Sequence, residues 1–326
     1  MIAAVIDNPG GPDAFTLRDI DEPEFGPDEV LIQVKATALN RADLMQRRGR
    51  YPAPDGIDQR IPGLEMAGVV EQIGARVTSF SQGDRVFALL GGGGYAEKVV
   101  VHERMLMNIP QNLSFEDAAG VPEGFFTAYD ALFNQAKLKM GESLLIHAAG
   151  SGVGTAAIQL AHQMSVSVFG TAGSKEKLFE AEKLGLDIGI NYKEEDFSKK
   201  IEESTKGSGV NVILDVIGAP YWEQNLNSLS QKGRMVLVGA MGGRLLETNL
   251  GLLGPKRLRI HGTVLRSRPI EEKITLTQQI VSSVLPLLES GKIHSVTDSV
   301  FPLSNVAEAH QRMEDNLNFG KIILSI

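Results

Sequence analysis

The residues with the clearest chemistry lie in the glycine-rich run Ala148–Thr155, which follows an apolar stretch and precedes an amphipathic one. Its glycines let the backbone bend sharply and let a pyrophosphate group approach, and a helix N-terminus beyond them offers free N–H groups. The spacing differs from the common GxGxxG pattern, so the inference depends on the context of strand, turn and helix. The run predicts a dinucleotide-binding turn formed by Gly150, Ser151, Gly152, Val153 and Gly154.

The end of the next strand indicates which dinucleotide is bound. A site for NAD typically carries an Asp or Glu about 20 residues further on, where it binds the ribose hydroxyls. Here that place holds Gly173 and Ser174 without an acid, and Lys177 and Tyr192 follow. An ammonium and a hydroxyl suit a 2′-phosphate, so we expect NADPH. The alternative is that Lys177, like Lys175, lies on the solvated face of a helix.

The elements that position these residues are predicted from periodicity. Between residues 143 and 264, six short apolar strands alternate with amphipathic helices, which predicts an α/β fold with a doubly wound parallel sheet. The predicted strands are Ser143–His147, Val166–Gly170, Ile188–Asn191, Val212–Asp215, Met235–Val238 and Arg259–Val264. The predicted helices are Gly154–Gln163, Lys175–Leu184, Ser198–Thr205 and Tyr221–Leu229.

The two ends of the chain have a different pattern. Residues 1–120 contain short strands divided by glycine and proline, which predicts a β-rich barrel or sandwich with a flexible turn at Gly91–Gly94. The tail after about Thr263 is too small to fold alone, so we expect it to complete the N-terminal domain. Its predicted elements are a helix Ile270–Leu288, a strand Thr297–Phe301, a helix from about Asn305 capped by Ser304, and a strand Lys321–Ile326.

Composition narrows the classes of function. The 326 residues carry a net charge of -8, which is a poor match to non-specific binding of nucleic acid or of anionic membranes. Because the chain has no cysteine, it has no disulfide, no thiolate nucleophile and no sulfur ligand for zinc. We recognise no signal peptide and no apolar stretch of membrane length, so the cytoplasm is the expected compartment.

Segments spread over the whole chain share one known pattern. They are Asn40-Arg41-Ala42-Asp43-Leu44-Met45-Gln46-Arg47, Ser151-Gly152-Val153-Gly154-Thr155-Ala156-Ala157-Ile158-Gln159-Leu160, Thr171-Ala172-Gly173-Ser174, Asn191-Tyr192-Lys193, Leu265-Arg266-Ser267-Arg268 and Gly320-Lys321-Ile322. Together they resemble the quinone oxidoreductase branch of the medium-chain dehydrogenase/reductase superfamily. The resemblance implies a GroES-like domain from residues 1–122 and 266–326 and a Rossmann NADPH-binding domain from residues 123–265. It also implies an active site in the cleft and a homodimer formed through the edge strand Arg259–Val264.

The same resemblance indicates what this chain lacks. Zinc-dependent relatives hold a catalytic zinc with a Cys near position 40 and a Gly-His-Glu motif, where this chain has Asn40 and Gly63-Leu64-Glu65. The six histidines show no metal-ligand spacing, so we expect no metal. Without a Lewis acid, alcohol oxidation loses its means of forming an alkoxide, whereas quinones and enones accept hydride readily.

The resemblance also places further side chains at the site. Asn40 is expected to donate a hydrogen bond to a substrate carbonyl or to the nicotinamide ribose, unless it only forms a turn after a strand. Tyr51 is expected beside the substrate, where its phenol would polarise a quinone oxygen or donate a proton, unless it is an exposed loop aromatic. The other cofactor contacts that the resemblance implies are Thr127, Val238, Gly239, Val264, Leu265 and Lys321.

These expectations combine into one activity with two alternatives. The activity is hydride transfer from NADPH to a small-molecule quinone or related α,β-unsaturated carbonyl, with the protein orienting both in a water-poor cleft. A 2-enoyl or enal reductase would share the fold and the cofactor but differ in its pocket. From another class, some relatives serve as lens proteins or RNA binders, and the acidic charge argues against RNA binding here.

Overall fold

The computed structural model describes all residues, 1–326, and they form two compact units. The β-rich unit contains Met1–Phe126 and Leu265–Ile326, and the parallel-sheet unit contains Thr127–Val264. The sequence predicts boundaries after residues 122 and 265, and the chain changes unit after Phe126 and after Val264. No helix combines the length and the apolar character needed to cross a membrane.

The β-rich unit is built around a seven-stranded sheet. The unit contains nine strands, of which seven form this sheet. The nine are β1 (Ile2–Ile6), β2 (Phe15–Asp19), β3 (Glu29–Ala38), β4 (Glu65–Ile73), β5 (Arg85–Leu89), β6 (Lys98–His102), β7 (Met107–Asn108), β14 (Thr297–Pro302) and β15 (Lys321–Ser325). The order is β14-β15-β3-β4-β5-β7, β6 also pairs with β3, and β1 and β2 form a separate hairpin. Because β15 pairs antiparallel with β3, the return segment completes the sheet that the first segment begins.

Short helices connect these strands. They are α1 (Arg41–Arg47), α2 (Phe115–Ala119), α9 (Ile270–Ser283), α10 (Leu285–Glu289) and α11 (Val306–Glu314). The single predicted helix Ile270–Leu288 was wrong, since it is divided at Val284, just before Pro286, which has no N–H to continue the ladder. The predicted cap was also wrong: Ser304 lies within a 3₁₀ turn, and its hydroxyl donates to Asn305 Oδ1 instead of capping α11.

The parallel-sheet unit has the predicted doubly wound arrangement. Its strands are β8 (Ser143–Ile146), β9 (Ser167–Ala172), β10 (Ile188–Asn191), β11 (Val210–Asp215), β12 (Leu229–Leu237) and β13 (Arg259–Gly262). Its helices are α4 (Gly152–Gln163), α5 (Lys175–Glu182), α6 (Phe197–Ser204), α7 (Trp222–Ser228) and α8 (Leu253–Lys256). The helix α3 (Pro122–Tyr129) contains the point after Phe126 at which the chain passes from the β-rich unit to this one. All pairings are parallel in the order β10-β9-β8-β11-β12-β13. In such sheets, ligands bind outside the carboxyl ends of the strands.

Candidate active site

The glycine turn, Ala148–Thr155, links the end of β8 to the start of α4. Ala148 adopts a left-handed conformation with φ 54°, which is unusual for a residue with a Cβ. Ser151 caps α4, and its Oγ accepts a hydrogen bond from Gly154 N at 3.0 Å. The N–H groups of Gly152 and Val153, in the first turn of the helix, remain available to an anionic group.

Gly154 leaves no space for a side chain. A Cβ built on it would lie 2.4 Å from the Ala148 carbonyl oxygen and 2.7 Å from the Ala149 carbonyl oxygen. Both atoms belong to the backbone, so relief would need movement of the turn itself. The structure therefore explains why glycine occupies this position: the helix approaches the strand end closely.

The predicted 2′-phosphate residues gather at the carboxyl ends of β9 and β10. Ser174 caps α5, with its Oγ accepting from Lys177 N at 3.3 Å. A Cβ built on Gly173 would lie 2.8 Å from the Tyr192 hydroxyl, so the absence of a side chain leaves room beside that phenol. Tyr192 is 45% exposed and available to a ligand.

Two further lysines, Lys175 and Lys193, lie beside this group. Lys175 pairs with Glu194 at 3.2 Å on the surface, which matches the alternative of a solvated lysine. Lys193 belongs to one of the segments that carry the resemblance but was given no role at the site, yet its Cε lies 3.2 Å from the Cβ position of Gly173. Its place directly after Tyr192 was the available signal.

The other predicted cofactor contacts lie at the ends of β12 and β13 or are buried. A groove of about 430 Å³ is lined by residues 237–240, Arg244 and residues 262–264, and so includes Val238, Gly239 and Val264. Thr127 lies within α3 and is 6% exposed. Leu265 begins the return segment and is also 6% exposed.

In the β-rich unit, Asn40 belongs to a buried network of charges. Asn40 Nδ2 donates to Glu65 Oε1 at 2.8 Å. Lys321 Nζ donates to Asn40 Oδ1 at 2.7 Å, to Glu65 Oε1 at 2.6 Å and to the Leu39 carbonyl oxygen at 3.0 Å. These bonds use all three donors of an ammonium group, and Lys321 is 3% exposed. All three Lys321 donors are therefore bonded within the protein, and none is left for the expected cofactor contact. One of these bonds holds the Asn40 side chain.

Two acids complete this group, which we call the Asn40 cluster (Asn40, Asp43, Glu65, Glu123, Lys321). Asp43 Oδ2 accepts from Asn40 N at 2.8 Å, and Asp43 Oδ1 accepts from Gly63 N at 3.2 Å. Burial raises the pKa of Asp43 to about 6. Burial and then the charge of Glu65 raise the pKa of Glu123 to about 8, and Glu123 N donates to Glu65 Oε2 at 2.7 Å. Sequence reasoning missed Glu123 because its partner Glu65 is distant along the chain. For Asp43 the available signal was its place three residues after Asn40, the spacing of a helix capping box.

The donor set of this cluster does not fit zinc. Zinc in proteins is bound mainly by sulfur, imidazole nitrogen and carboxylate oxygen. Here the positions provide an amide, a leucine and one carboxylate, and Glu65 Oε1 is already bonded to the Lys321 ammonium. No group of three histidines or acids in the structure is arranged to hold a metal ion.

Tyr51 lies in a loop after α1 and is half-buried. Burial, with a smaller contribution from the Glu123 charge, raises the pKa of its phenol above the usual value of 10.0. The phenol is therefore protonated at neutral pH and able to donate a hydrogen bond. The guanidinium of Arg266 lies over the Tyr51 ring, 4.9 Å from its centroid.

Two buried histidines have partners within the protein. His147 Nε2 and Asn225 Oδ1 are 2.7 Å apart, His147 Nδ1 and Thr171 Oγ1 are 3.0 Å apart, and burial lowers the pKa of His147 to about 4. His310 lies between Arg47 and Tyr95, at 3.2 Å from each. Neither imidazole is placed to hold a metal.

Comparison with known proteins identifies the family to which the chain belongs. Residues 26–111 match the family described as the alcohol dehydrogenase GroES-like domain, and residues 152–282 match that described as zinc-binding dehydrogenase. Together with the parallel sheet, these matches define the class: a dehydrogenase/reductase with a GroES-like domain and a dinucleotide-binding domain. The chain is 35% identical to the quinone oxidoreductase of Lama guanicoe, over 97% of this chain and 94% of that protein. It is 34% identical to the quinone oxidoreductase of Pseudomonas aeruginosa, over 97% and 96%. The chain belongs to the quinone oxidoreductase family.

Solved structures of proteins with different cofactors and activities show the same fold. The chain is similar to an NAD-dependent alcohol dehydrogenase with TM-score 0.90 and 32% identity, covering 100% of both chains. It is similar to a mycobacterial protein complexed with NADPH, with TM-score 0.89 and 27% identity, covering 100% of both. It is also similar to the JamJ enoyl reductase, with TM-score 0.89 and 26% identity, covering 99% and 98%. The fold therefore accommodates a nicotinamide cofactor, and the choice between NADH and NADPH depends on this chain's own residues.

Proposed function

We propose that this protein is an NADPH-dependent quinone oxidoreductase that acts without zinc. The observation that carries the proposal is the Asn40 cluster. Asn40 and Glu65 occupy positions that belong to the zinc-ligand motifs of zinc-dependent relatives, and both are bonded to the Lys321 ammonium. An acceptor that needs no metal activation fits this site, and a quinone is such an acceptor. The relatives named above support the substrate class.

The proposed cofactor site uses the backbone of the parallel-sheet unit. The first turn of α4 would bind the pyrophosphate through the N–H groups of Gly152 and Val153. Gly173, Lys177 and Tyr192 would bind the 2′-phosphate, with further contacts from Val238, Gly239 and Val264. When bound, the cofactor supplies a hydride. Reduction of a quinone to a hydroquinone then needs one proton more.

The proposed acceptor site uses Tyr51. Its phenol stays protonated at neutral pH, so it can donate a hydrogen bond to a quinone oxygen and assist its protonation. Asn40 has one N–H bonded to Glu65 and a long contact of 3.4 Å from Nδ2 to the Ala38 carbonyl oxygen. We therefore propose that Asn40 helps to shape the site, and that Tyr51 is the donor to the substrate.

A comparison of two neighbouring lysines tests the cofactor proposal. Replacement of Lys177 by Ala is expected to weaken NADPH binding about tenfold and leave NADH binding unchanged, because only NADPH carries the 2′-phosphate. Replacement of Lys175 by Ala is the matched control, since Lys175 is paired with Glu194 at the surface. The measurement is the Kd of each cofactor by quenching of protein fluorescence. Equal loss of NADPH and NADH binding would contradict the assignment.

The acceptor is tested with a panel of small quinones and, side by side, 2-enals and 2-enoyl thioesters. The proposal predicts faster NADPH oxidation with quinones. The similarity to the JamJ enoyl reductase is the reason to test the second candidate, and a higher kcat/KM with the enals or thioesters would establish it.

Tyr51→Phe is expected to lower kcat for quinones about tenfold if the phenol assists protonation. Wild-type activity in Tyr51→Phe would remove that role.

We also propose that two copies of the chain associate through β13. This strand is at the end of its sheet, so one side of its backbone is unpaired, and unpaired edges tend to pair with another chain. Leu245 and Leu250 in the same unit are 93% and 69% exposed. Light scattering should show a dimer that Leu250→Glu weakens, whereas Leu317→Glu, at a 58% exposed leucine of the β-rich unit, should leave it intact. A wild-type monomer would exclude the association.

A further inference from the structure

Arg266 is a buried cation that the proposed chemistry does not use. It follows Leu265 at the start of the return segment, and the residue is 5% exposed. Its Nε donates to the Gly91 carbonyl oxygen at 2.7 Å, and its Nη2 donates to Gln46 Oε1 at 2.6 Å. The guanidinium therefore joins the return segment to α1 and to the glycine loop after β5.

The same guanidinium holds the loop that carries Tyr51. Its Nη1 donates to the carbonyl oxygens of Tyr51 and Pro52, each at 3.3 Å. The plane of the group lies over the Tyr51 ring at 4.9 Å from the centroid, a distance typical of cation–π contact. Arg266 thus contacts both the backbone and the ring of Tyr51 and leaves the phenol hydroxyl unbonded.

This arrangement is poorly explained by packing alone. Arg266 forms no ion pair, and its hydrogen bonds go to carbonyl and amide oxygens. Burial lowers its pKa, although the charges of Asp43 and Glu123 act in the opposite direction. An apolar side chain would fill the same volume without the desolvation penalty of a buried cation. A planar group with five N–H donors, by contrast, binds several oxygens in fixed directions.

The surrounding residues support the position of Arg266. Lys273 Nζ donates to the Arg266 carbonyl oxygen at 2.7 Å, which anchors its backbone to α9. Gly92 has φ 153°, and a Cβ built there would lie 2.6 Å from Ile57 Cγ2 and 3.3 Å from Arg266 Nη2. The run Gly91–Gly94, expected from the sequence to be a flexible turn, is thus bonded to the guanidinium and to the backbone of Ile61 and Gly63.

We propose that Arg266 is a positioning residue that clamps the Tyr51 loop and orients the Tyr51 phenol toward the carbonyl acceptor. The proposal rests on the proposed function for the part that concerns catalysis, and on geometry alone for the part that concerns the loop. It assigns Arg266 no contact with substrate. Its consequence is that loss of the planar fork loosens the Tyr51 loop without disturbing cofactor binding.

The first experiment tests the clamp without any activity. Hydrogen–deuterium exchange of the amides in residues 51–59 is compared in the wild-type chain, Arg266→Lys and Arg104→Lys. Arg266→Lys keeps the charge but loses the fork, and exchange should be about tenfold faster in the loop. Arg104 pairs with Glu271 on the surface of the same unit, so the control should match the wild type. Unchanged exchange in Arg266→Lys would overturn the clamp.

The second experiment tests the link to Tyr51 with a double-mutant cycle. Arg266→Lys is expected to lower kcat/KM for a quinone about tenfold while the Kd of NADPH changes less than about twofold. In a Tyr51→Ala background the same replacement should have little further effect, because the group it positions is gone. Independent, multiplicative losses would overturn the link to Tyr51. If the wild-type chain reduces no quinone, the proposed function fails, and the exchange experiment still decides whether the clamp exists.

Discussion

The Asn40 cluster is formed by side chains, whereas the glycine turn is formed by the backbone. In the Asn40 cluster, side-chain charges from distant parts of the chain satisfy one another, as Lys321 and Glu65 do at 2.6 Å. In the glycine turn the backbone provides the chemistry, through uncapped N–H groups and a left-handed Ala148. The structure of the Asn40 cluster therefore depends on which side chains are paired. That of the glycine turn depends on positions without side chains.

This difference teaches where each region is vulnerable. A buried charge without its partner has a large desolvation penalty, so removal of one group should harm the whole cluster. A backbone site tolerates most changes of side chain but not a Cβ in the path of the chain. The following predictions begin with the largest expected effect.

Removal of the Lys321 charge should have the largest effect. Lys321→Met leaves Glu65 buried without a cationic partner, and we expect the free energy of unfolding to fall by about 3–5 kcal/mol. Urea denaturation followed by circular dichroism measures this change. Lys98→Met is the control, because Lys98 pairs with Glu22 and Glu71 nearer the surface, and pairs of that kind contribute about 1 kcal/mol or less.

The double variant Lys321→Met/Glu65→Leu sharpens the same test. It removes both charges, so it should recover part of the stability that Lys321→Met loses. A double variant that is less stable than Lys321→Met would show that packing, and not the unpaired charge, dominates the effect.

Titration of Glu123 should give a smaller effect that depends on pH. Its pKa is raised from 4.5 to about 8, so the folded chain keeps the proton at pH values where the unfolded chain releases it. The contribution of Glu123 to the free energy of unfolding is fully present below pH 4.5, where both states are protonated. It is lost as pH rises from 4.5 through 8. Glu123→Gln should therefore become more stable relative to the wild type over this window, by about 3 kcal/mol after allowance for partial exposure.

The measurement is the free energy of unfolding of both proteins at several pH values across that window. Glu289→Gln, at an exposed carboxylate of the same unit, is the control and should follow the wild type at every pH. Parallel pH profiles for Glu123→Gln and the wild type would contradict a buried, proton-retaining carboxyl group.

A methyl group at Gly154 tests the backbone side of the comparison. Gly154→Ala places a Cβ against two carbonyl oxygens, so we expect a loss of about 2 kcal/mol in stability and at least about tenfold weaker NADPH binding. Gly254→Ala is the matched control, because a Cβ at Gly254 meets nothing within 4 Å. Thermal melts and cofactor titrations compare the two variants. Undiminished cofactor binding in Gly154→Ala would show that the turn does not determine the site.

Relief of the left-handed residue should have the smallest effect. Ala148→Gly removes the Cβ from a residue with φ 54°, and we expect a gain of about 0.5–1 kcal/mol with cofactor binding retained. Ala149→Gly lacks this relief and should be neutral or destabilising. Thermal melts with and without NADPH compare them. A loss of stability in Ala148→Gly would mean that the methyl group contributes packing greater than its strain.

Local pattern was sufficient for much of the parallel-sheet unit. The strand Ile188–Asn191 has the bounds that its apolar run predicts, and the glycine turn lies between a strand and a helix as expected. Turn chemistry and hydrophobic periodicity act over a few residues, so they can be read without knowledge of the rest of the chain. The group around Gly173 and Tyr192 was found for the same reason, since each residue directly follows a strand.

The tertiary structure alone decided which charges meet. Lys321 and Glu65 are 256 residues apart in sequence, and Arg266 and Tyr51 are 215 apart. The local sequence around these residues does not predict their partners, because the pairing depends on how the return segment joins the sheet at β3. The sequence by itself determined a glycine-rich turn between a strand and a helix and predicted that it binds a dinucleotide. Only the folded chain showed that Lys321 bonds to Asn40 and that Arg266 bonds to the Tyr51 loop, since buried charges must find partners wherever the fold brings them together.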